Sequence, residues 1–564
     1  MFYSNLIFIR DFSCKIECAV IKLEYECFGE IKMIRTEIKL DINYDIDSLK
    51  DAIVAHLPVD RSEIKEIRIL KKTLCVTDKP SFSLSLGVEF SPEREEGLKK
   101  MKKKVSECPD YTMEIPKCDR MVSPVVVGAG PAGLFAALVL AEGGARPIVI
   151  ERGEEVDKRA RTTAEFFSRG VLSGESNIQY GEGGAGAFSD GKLKVGSMDK
   201  YKYKVLSEFV GAGAPEDIVY TVGAHLGTDK LPSYVKKIRE KIISLGASFI
   251  FSARVKDIKV KNGCVCAVVY EKDGRDVTVD TDRVIFAAGH SAKDSFEMLM
   301  SLRVPMSSRP FGIGVRIEHR REYINSLVYG DKCKELEAAA GTASYHLVTH
   351  LPNGRSVYSF CMCPGGTVVA AASEEGGVVT NGMSECARMA ENSNAAHLVS
   401  LTPADFGSEH PLAGIDLQRR IERAAYIAGG GNFRAPAISM ESFMKNEAPS
   451  LSKSLRASYP CGVTAARAED YLPDFVTDSL RPGIADFDKW MPGFYHPDAL
   501  LTGAETRSTS PVRIHRNASF MSDAVKGLYP IGEGAGYAGG IVSSAVDGVR
   551  AAESILKENS LKCK

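Results

Sequence analysis

Apolar residues downstream of Ser123 fall into two recurring patterns. Val125–Val127, Pro147–Ile150, Ser248–Phe251 and Val284–Phe286 are short, mostly apolar runs, the pattern of strands buried on both faces. Between the first two lies an apolar helical stretch from Pro131 to Gly143. Before the third, Val235, Ile238, Ile242 and Leu245 recur at helical spacing over Pro232–Leu245. Alternating strand and helix predicts a parallel sheet. Val255–Val260, Cys264–Tyr270 and Val277–Val279 are joined by Asn262-Gly263 and Asp273-Gly274, which predicts a three-stranded meander with two tight hairpins. Residues 306–504 lose this regularity. They mix strands (Val315–Glu318, Val357–Phe360, Thr367–Ala371) with a helix over Leu412–Ala428, and read as a separate α+β domain. Leu528–Leu556 returns to a strand, a glycine-rich loop and a long helix.

Upstream, Ile34–Leu40 alternates as a strand. Asp47 or Ser48 caps a helix running to His56, and Ile64–Val76 and Phe82–Phe90 read as two further strands. This βαββ unit, residues 33–92, carries no cluster of chemically useful side chains, so packing or contact with a protein partner is its expected role. Residues 93–120 read as a linker whose charged segment Glu93–Cys108 is a solvated helix. Its Lys99–Lys104 run lacks the interleaved aromatics of a nucleic-acid surface. Residues 1–32 lack a clear period and hold three of the 14 cysteines; one expectation is that translation starts at Met33. The fold expected is α/β: a discontinuous Rossmann-type domain (121–305 and 505–564), an inserted α+β domain (306–504) and the small N-terminal βαββ domain.

Composition narrows the function classes. With 72 Lys+Arg against 73 Asp+Glu in 564 residues, nothing global favours nucleic acid or an anionic membrane. The cysteines form no CxxC pair and no Cys/His zinc spacing, which suggests reduced thiols in a cytoplasmic protein. The apolar run Leu6–Ile9 is broken by Arg10 and Asp11, too short for a signal peptide. Ser123–Ala141 is uncharged, but Gly128, Gly130, Pro131 and Gly133 within it argue against a membrane span.

Those glycines carry the first chemistry. Gly128-Ala129-Gly130-Pro131-Ala132-Gly133 follows a strand and opens a helix. Gly128 permits the turn, Gly130 lets the backbone approach a pyrophosphate, and Gly133 lets helix and strand pack closely, with the helix N-terminus facing the phosphate charge. Glu151, followed by Arg152, ends the second strand, where an acid can bind ribose hydroxyls. This identifies a dinucleotide site without separating FAD from NAD. No second strand–GxGxxG–helix unit follows, so NAD(P)H is expected at most as a transient electron donor.

The layout itself resembles the FAD-binding domains of the glutathione reductase superfamily: one Rossmann unit, a meander, a return strand ending in Ala288-Gly289, and the C-terminal loop from Gly532 and Glu533 to Gly539, Gly540 and Ile541. That resemblance implies contacts of Val255 with adenine, an acid of the C-terminal loop near the ribityl or phosphate, and the next helix N-terminus aimed at the flavin. Glu533 stands where most relatives carry Asp. The stretches Asn177–Lys192, Ser356–Gly366, Asn381–Met383, Glu505–Arg513 and Gly527–Asp547 further resemble a family of bacterial FAD-dependent dehydrogenases with a small N-terminal domain. The resemblance implies non-covalent FAD and an oxidoreductase.

Other features have two readings each. Gly183 and Gly184, in the loop Gly181–Gly186, either contact the flavin or only supply left-handed backbone. Cys361 and Cys363 are either redox thiols facing the flavin or core residues, both on one side of a strand. His290 is an acid–base candidate or a structural hydrogen-bonding group. Arg507 and Arg513 bind an acidic substrate or a second nucleotide's phosphate, or form salt bridges. His346 and His350 lack a third ligand, so no metal is expected. The expected reaction is hydride transfer at flavin N5 to or from a small organic molecule, unsaturated or carboxylated substrates being candidates. A flavin monooxygenase and a non-enzymatic redox sensor or binding module are the alternatives.

Overall fold

The computed structural model describes residues 33–562 except 77–78, 102–103, 119–122 and 194. The segment 1–32, and with it the question of a start at Met33, lies outside the described residues. Five parallel strands form the central sheet in the order Leu528–Pro530, Val284–Phe286, Val125–Val127, Ile148–Ile150, Ser248–Ile250. The C-terminal strand thus lies beside the return strand, and the discontinuous domain closes on itself. The helix Pro131–Glu142 is apolar all round because it is covered all round: ten of its residues are buried between the sheet and the C-terminal helix Ile541–Lys562. A Cβ on Gly548 of that helix would strike the Ala132 carbonyl. Among the described residues no helix is long and apolar enough to cross a membrane.

The meander forms as Arg254–Lys261, Cys264–Lys272 and Arg275–Asp280, all antiparallel. Asn262 and Gly263 (φ 52° and 75°) and Asp273 and Gly274 (φ 52° and 71°) adopt the left-handed angles such hairpins require.

Two crossover strands, Met306–Ser308 and Val512–Ile514, pair antiparallel where the chain enters and leaves the inserted domain. That domain is built on a seven-stranded sheet. Two of the three expected strands belong to it, as Phe311–Arg320 and Ser356–Cys363. Thr367–Ala370 instead pairs with Thr380–Met383 in a separate ribbon. The strand Asn392–Leu401, between Phe311–Arg320 and Ser356–Cys363, opens on a polar run and lacks a clean apolar pattern: Asn392, Ser393, Asn394 and His397 are buried in it beside Ala395, Ala396, Leu398, Val399 and Leu401.

The N-terminal unit needs a correction. Its sheet has four strands, in the order Glu66–Cys75, Ser81–Glu89, Ile34–Asp41, Val105–Glu107. The segment read as a solvated linker supplies the helix Pro92–Lys99 and the fourth strand, because Leu98 and Val105 bury into the module's core. That core continues into Tyr329, Leu336, Ala340 and Ala343 of the inserted domain. At Lys72 the backbone exchanges hydrogen bonds with Tyr220 (2.8 Å) and Val222 (3.0 Å) of the Rossmann domain.

Candidate functional site

A cavity of about 370 Å³ runs between the Rossmann and inserted domains. Two helix N-termini meet there. Gly128, Gly130, Pro131 and Ala132 line it from the first, and Gly539, Gly540 and Ile541 from the C-terminal helix. Each N-terminus leaves backbone N–H groups unanswered within the helix, a ready environment for anionic oxygens. The glycines have separable jobs. Gly128 has φ +100°, and a Cβ there would stand 2.8 Å from the Ala287 carbonyl oxygen. A Cβ on Gly133 would collide with the Gly128 carbonyl oxygen, while one on Gly130 would meet only Gly184 Cα, at 3.7 Å. Gly130 is therefore the point where a ligand's backbone-close approach is left open, which is the fit a pyrophosphate needs.

Glu151, Arg152, Ala253, Arg254 and Val255 form another part of the lining. Glu151 is buried and already busy. Its Oε2 accepts from Ala129 N (2.7 Å) and its Oε1 from Gly153 N and Gly181 N (both 2.9 Å). A carboxylate has about four acceptor positions, so about one remains for a ribose hydroxyl. Arg152 stacks on Tyr180 (4.2 Å to the ring centroid) and pairs with Glu175 and Asp294. Ala288, Gly289 and His290 line the cavity; His290 Nδ1 is buried without a hydrogen-bond partner among the described residues.

In the second glycine-rich loop, Gly181, Ala185 and Gly186 face the cavity, whereas Gly183 and Gly184 stand behind them. Gly184 (φ +61°) abuts Gly130, and Gly183 (φ +84°) abuts Ala187. The organiser of this loop is Arg159, which sequence reading passed over. It is wholly buried and donates to the carbonyl oxygens of Asn177, Ile178, Gly181, Glu182 and Gly184. Burial pushes its pKa down to about 10. An arginine amid a charged helix gives no sequence signal for such a role. In the C-terminal loop, Glu533 lines the cavity and accepts from Gly540 N (3.4 Å), while Gly532 N donates to Asp547 (2.7 Å) behind it.

The inserted domain runs past the expected bound at residue 504, because Leu500–Glu505 is a strand of its sheet and the chain leaves it only at the crossover strand Val512–Ile514. It contributes Phe360, Cys361, Asn381, Gly382, Glu505, Arg507 and Ser508. Cys361 and Cys363 do not share a side of the strand. The register breaks between Phe360 and Cys363, and Cys361 takes φ +41°, so period-2 alternation fails there. Cys361 reaches the cavity; Cys363 is buried behind it, and burial, reinforced by Asp190, pushes its thiol up to about 12, which opposes a thiolate role. Behind this wall lies Arg316, fully buried, with all five donors engaged. It donates to Glu505 twice (3.0 and 2.9 Å), Asn381 (2.9 Å), the Cys361 carbonyl (2.9 Å) and Asn394 (3.0 Å). Arg507 likewise spends its charge inside the protein, on Glu422 (2.9 Å) and Ser373 (2.6 Å). Among the described residues no group of three potential ligands gathers for a metal.

Residues 310–508 match a family model described as FAD-dependent protein, C-terminal domain-like, and residues 121–165 match one described as FAD binding domain. An uncharacterised protein of Clostridium beijerinckii is 42% identical over 533 residues, covering 93% of this chain and 98% of its own length. Among solved structures, the flavin-dependent brominase Bmp2 is 10% identical with a TM-score of 0.37, covering 79% of this chain and 80% of its own. A geranylgeranyl bacteriochlorophyll reductase-like protein from Thermoplasma acidophilum is 12% identical with a TM-score of 0.33, covering 78% and 79%. Nothing about the reaction follows from likenesses at that level. The cradle of glycines and helix N-termini fits FAD, and the chain belongs to the family of FAD-dependent flavoproteins that includes its Clostridium relative.

Proposed function

We propose that the protein is an FAD-dependent oxidoreductase that passes a hydride between the flavin and a small organic substrate. The observation that carries this reading is the cavity itself. The glycine loops that fit the dinucleotide and the inserted domain's wall of Phe360, Cys361, Asn381 and Glu505 line one continuous space. When bound, FAD supplies the hydride-accepting chemistry. The chain's own contribution is position and exclusion of water. Glu151 and Arg159 fix the loops around the cofactor, and Arg316 fixes the facing wall. His290, with its free Nδ1, is the candidate for holding or moving a proton. NAD(P)H is the proposed transient donor.

The test is the visible spectrum of the purified holoprotein under anaerobic conditions, before and after NADH or NADPH. Bleaching of the oxidised-flavin bands, followed by recovery on adding unsaturated acceptors, is the expected result. A flavin that neither nicotinamide nor any small organic donor reduces would overturn the oxidoreductase reading.

A further inference from the structure

Beside the C-terminal glycine loop, two guanidinium groups lie outside the FAD cavity with no acid to answer them. Both sit on the crossover ribbon. Ser307 pairs with Arg513, and Arg309 N donates to the Pro511 carbonyl (2.8 Å). Arg309 and Arg513 are therefore diagonal neighbours on one face of the ribbon, within mutual reach. Gly536 presses against that face at φ +84°; a Cβ there would stand 3.1 Å from Arg309 Cδ and 3.1 Å from Arg513 Cα. Arg513 Nη2 donates to the Gly536 carbonyl (2.8 Å), and its guanidinium lies 4.4 Å from the Tyr537 ring centroid.

The charges around them are unequal. Arg516, on the same Tyr537 ring, is held bidentately by Asp547 at 2.7 and 2.9 Å. Arg309 and Arg513 form no ion pair among the described residues, and Arg309 Nη1 and Arg513 Nε are buried without a hydrogen-bond partner. Burial and the neighbouring Arg513 hold the Arg309 pKa below the usual guanidinium range, with Glu533 opposing from beyond ion-pair reach. Other buried arginines of this protein have their donors answered, Arg316 by Glu505, Arg507 by Glu422 and Arg159 by five backbone carbonyl oxygens. Two adjacent cations with unanswered buried donors are what a shared anion would resolve.

We propose that Arg309 and Arg513 form a binding site for a phosphoryl anion. Two planar guanidinium forks match phosphate oxygens bidentately, and an anion held between them would tie the entering and leaving strands of the inserted domain together. The phosphoryl group has two sources, a free phosphate or pyrophosphate ion and the phosphate of a nicotinamide dinucleotide; the second source rests on the oxidoreductase reading above.

The experiment titrates inorganic pyrophosphate into the FAD-loaded protein by calorimetry. It compares wild type, Arg309→Gln, Arg513→Gln and, as a control, the exposed Arg146→Gln. The expected result is saturable binding to wild type and Arg146→Gln, weakened at least tenfold in each of the other two, with flavin spectrum and FAD content unchanged throughout. Anaerobic flavin reduction then separates the sources. A tenfold rise in the half-saturating NADPH concentration at an unchanged limiting rate in both variants assigns the site to the dinucleotide. Unaltered reduction alongside lost pyrophosphate binding assigns it to the free ion. Absence of saturable pyrophosphate binding to wild type, or equal binding in both variants, overturns the site. A flavin that NAD(P)H fails to reduce leaves the calorimetric result standing and counts only against the electron donor.

Discussion

The two domains that line the cavity do so with different materials. The Rossmann side is largely main chain: Gly128, Gly130, Gly539 and Gly540 present backbone, and two helices present their N-termini. The inserted side is side chain held by buried charge, with Arg316 alone gripping Glu505, Asn381, Asn394 and the Cys361 carbonyl. A backbone cradle is specified by residues a few positions apart, whereas the opposite wall is specified by residues 45 to 189 positions apart. The first tolerates little change of residue type; the second depends on a charge balance.

The largest expected effect tests that balance. Arg316→Met leaves Glu505 buried opposite no cation, a change worth about 3–5 kcal/mol. The chain's single tryptophan, Trp490, ends a helix of the inserted domain, so its fluorescence reports that domain while flavin absorbance reports the other. In urea the variant's Trp490 transition is expected to move to lower denaturant and precede flavin release. A Trp490 transition unmoved by the substitution would break the contrast between the two walls.

A second, smaller effect lies deeper in the same domain. His319 and His397 are fully buried among Tyr345, Phe487 and Phe494, with rings 5.1 and 5.3 Å from that of Phe494. Burial lowers their pKa values, to about 4 for His319 and, with His319 itself as a second cause, about 3 for His397. Below the ordinary 6.5 the unfolded chain takes up protons that the folded domain refuses, so stability is full above pH 6.5 and falls as the pH drops toward 4. The loss through His319 alone amounts to about 3 kcal/mol. The check is the Trp490 transition in urea at pH 7.5, 6 and 5. A midpoint constant across that range would mean these imidazoles are not held neutral.

How far the chain could be read in advance follows the same division. The Rossmann strands and the meander appear within a residue or two of their expected bounds, because buried triplets and Asn-Gly or Asp-Gly turns are local signals. The lining glycines were legible for the same reason: Gly128 needs its left-handed φ whatever lies elsewhere in the chain. Arg159 and Arg316 were not, since nothing local separates a buried arginine with five partners from a solvated one. The strand Asn392–Leu401 was hidden by its own polarity; Asn392 answers Glu318 and Asn394 answers Arg316, partners more than seventy positions away. Arg507 and Arg513 looked alike in sequence, and only the fold gives one a carboxylate and leaves the other beside Arg309. The charged segment Glu93–Cys108 misled because its charges outnumber the two buried apolar residues, Leu98 and Val105, that anchor it.

The smallest expected effect bears on the main-chain wall. Gly128→Ala adds one methyl group at φ +100°, an angle alanine adopts only under strain, and sets it 2.8 Å from the Ala287 carbonyl oxygen. Relief requires the turn to shift, and the turn is shared: Gly128 N donates to the Ile150 carbonyl (2.8 Å), and Gly183 N to that of Ala129 (2.8 Å). A shift there displaces the helix N-terminus at Gly130 and the second glycine loop together. FAD affinity is expected to fall about tenfold to a hundredfold, equivalent to about 1.4–2.8 kcal/mol, measured by fluorescence of the flavin released on dilution. The Trp490 transition of the apoprotein should stay where it is, because the inserted domain's sheet takes no strand from this turn. Were FAD retained at wild-type affinity, the glycine loop would be a packing device, and the side-chain wall would carry more of the cofactor's binding than its position implies.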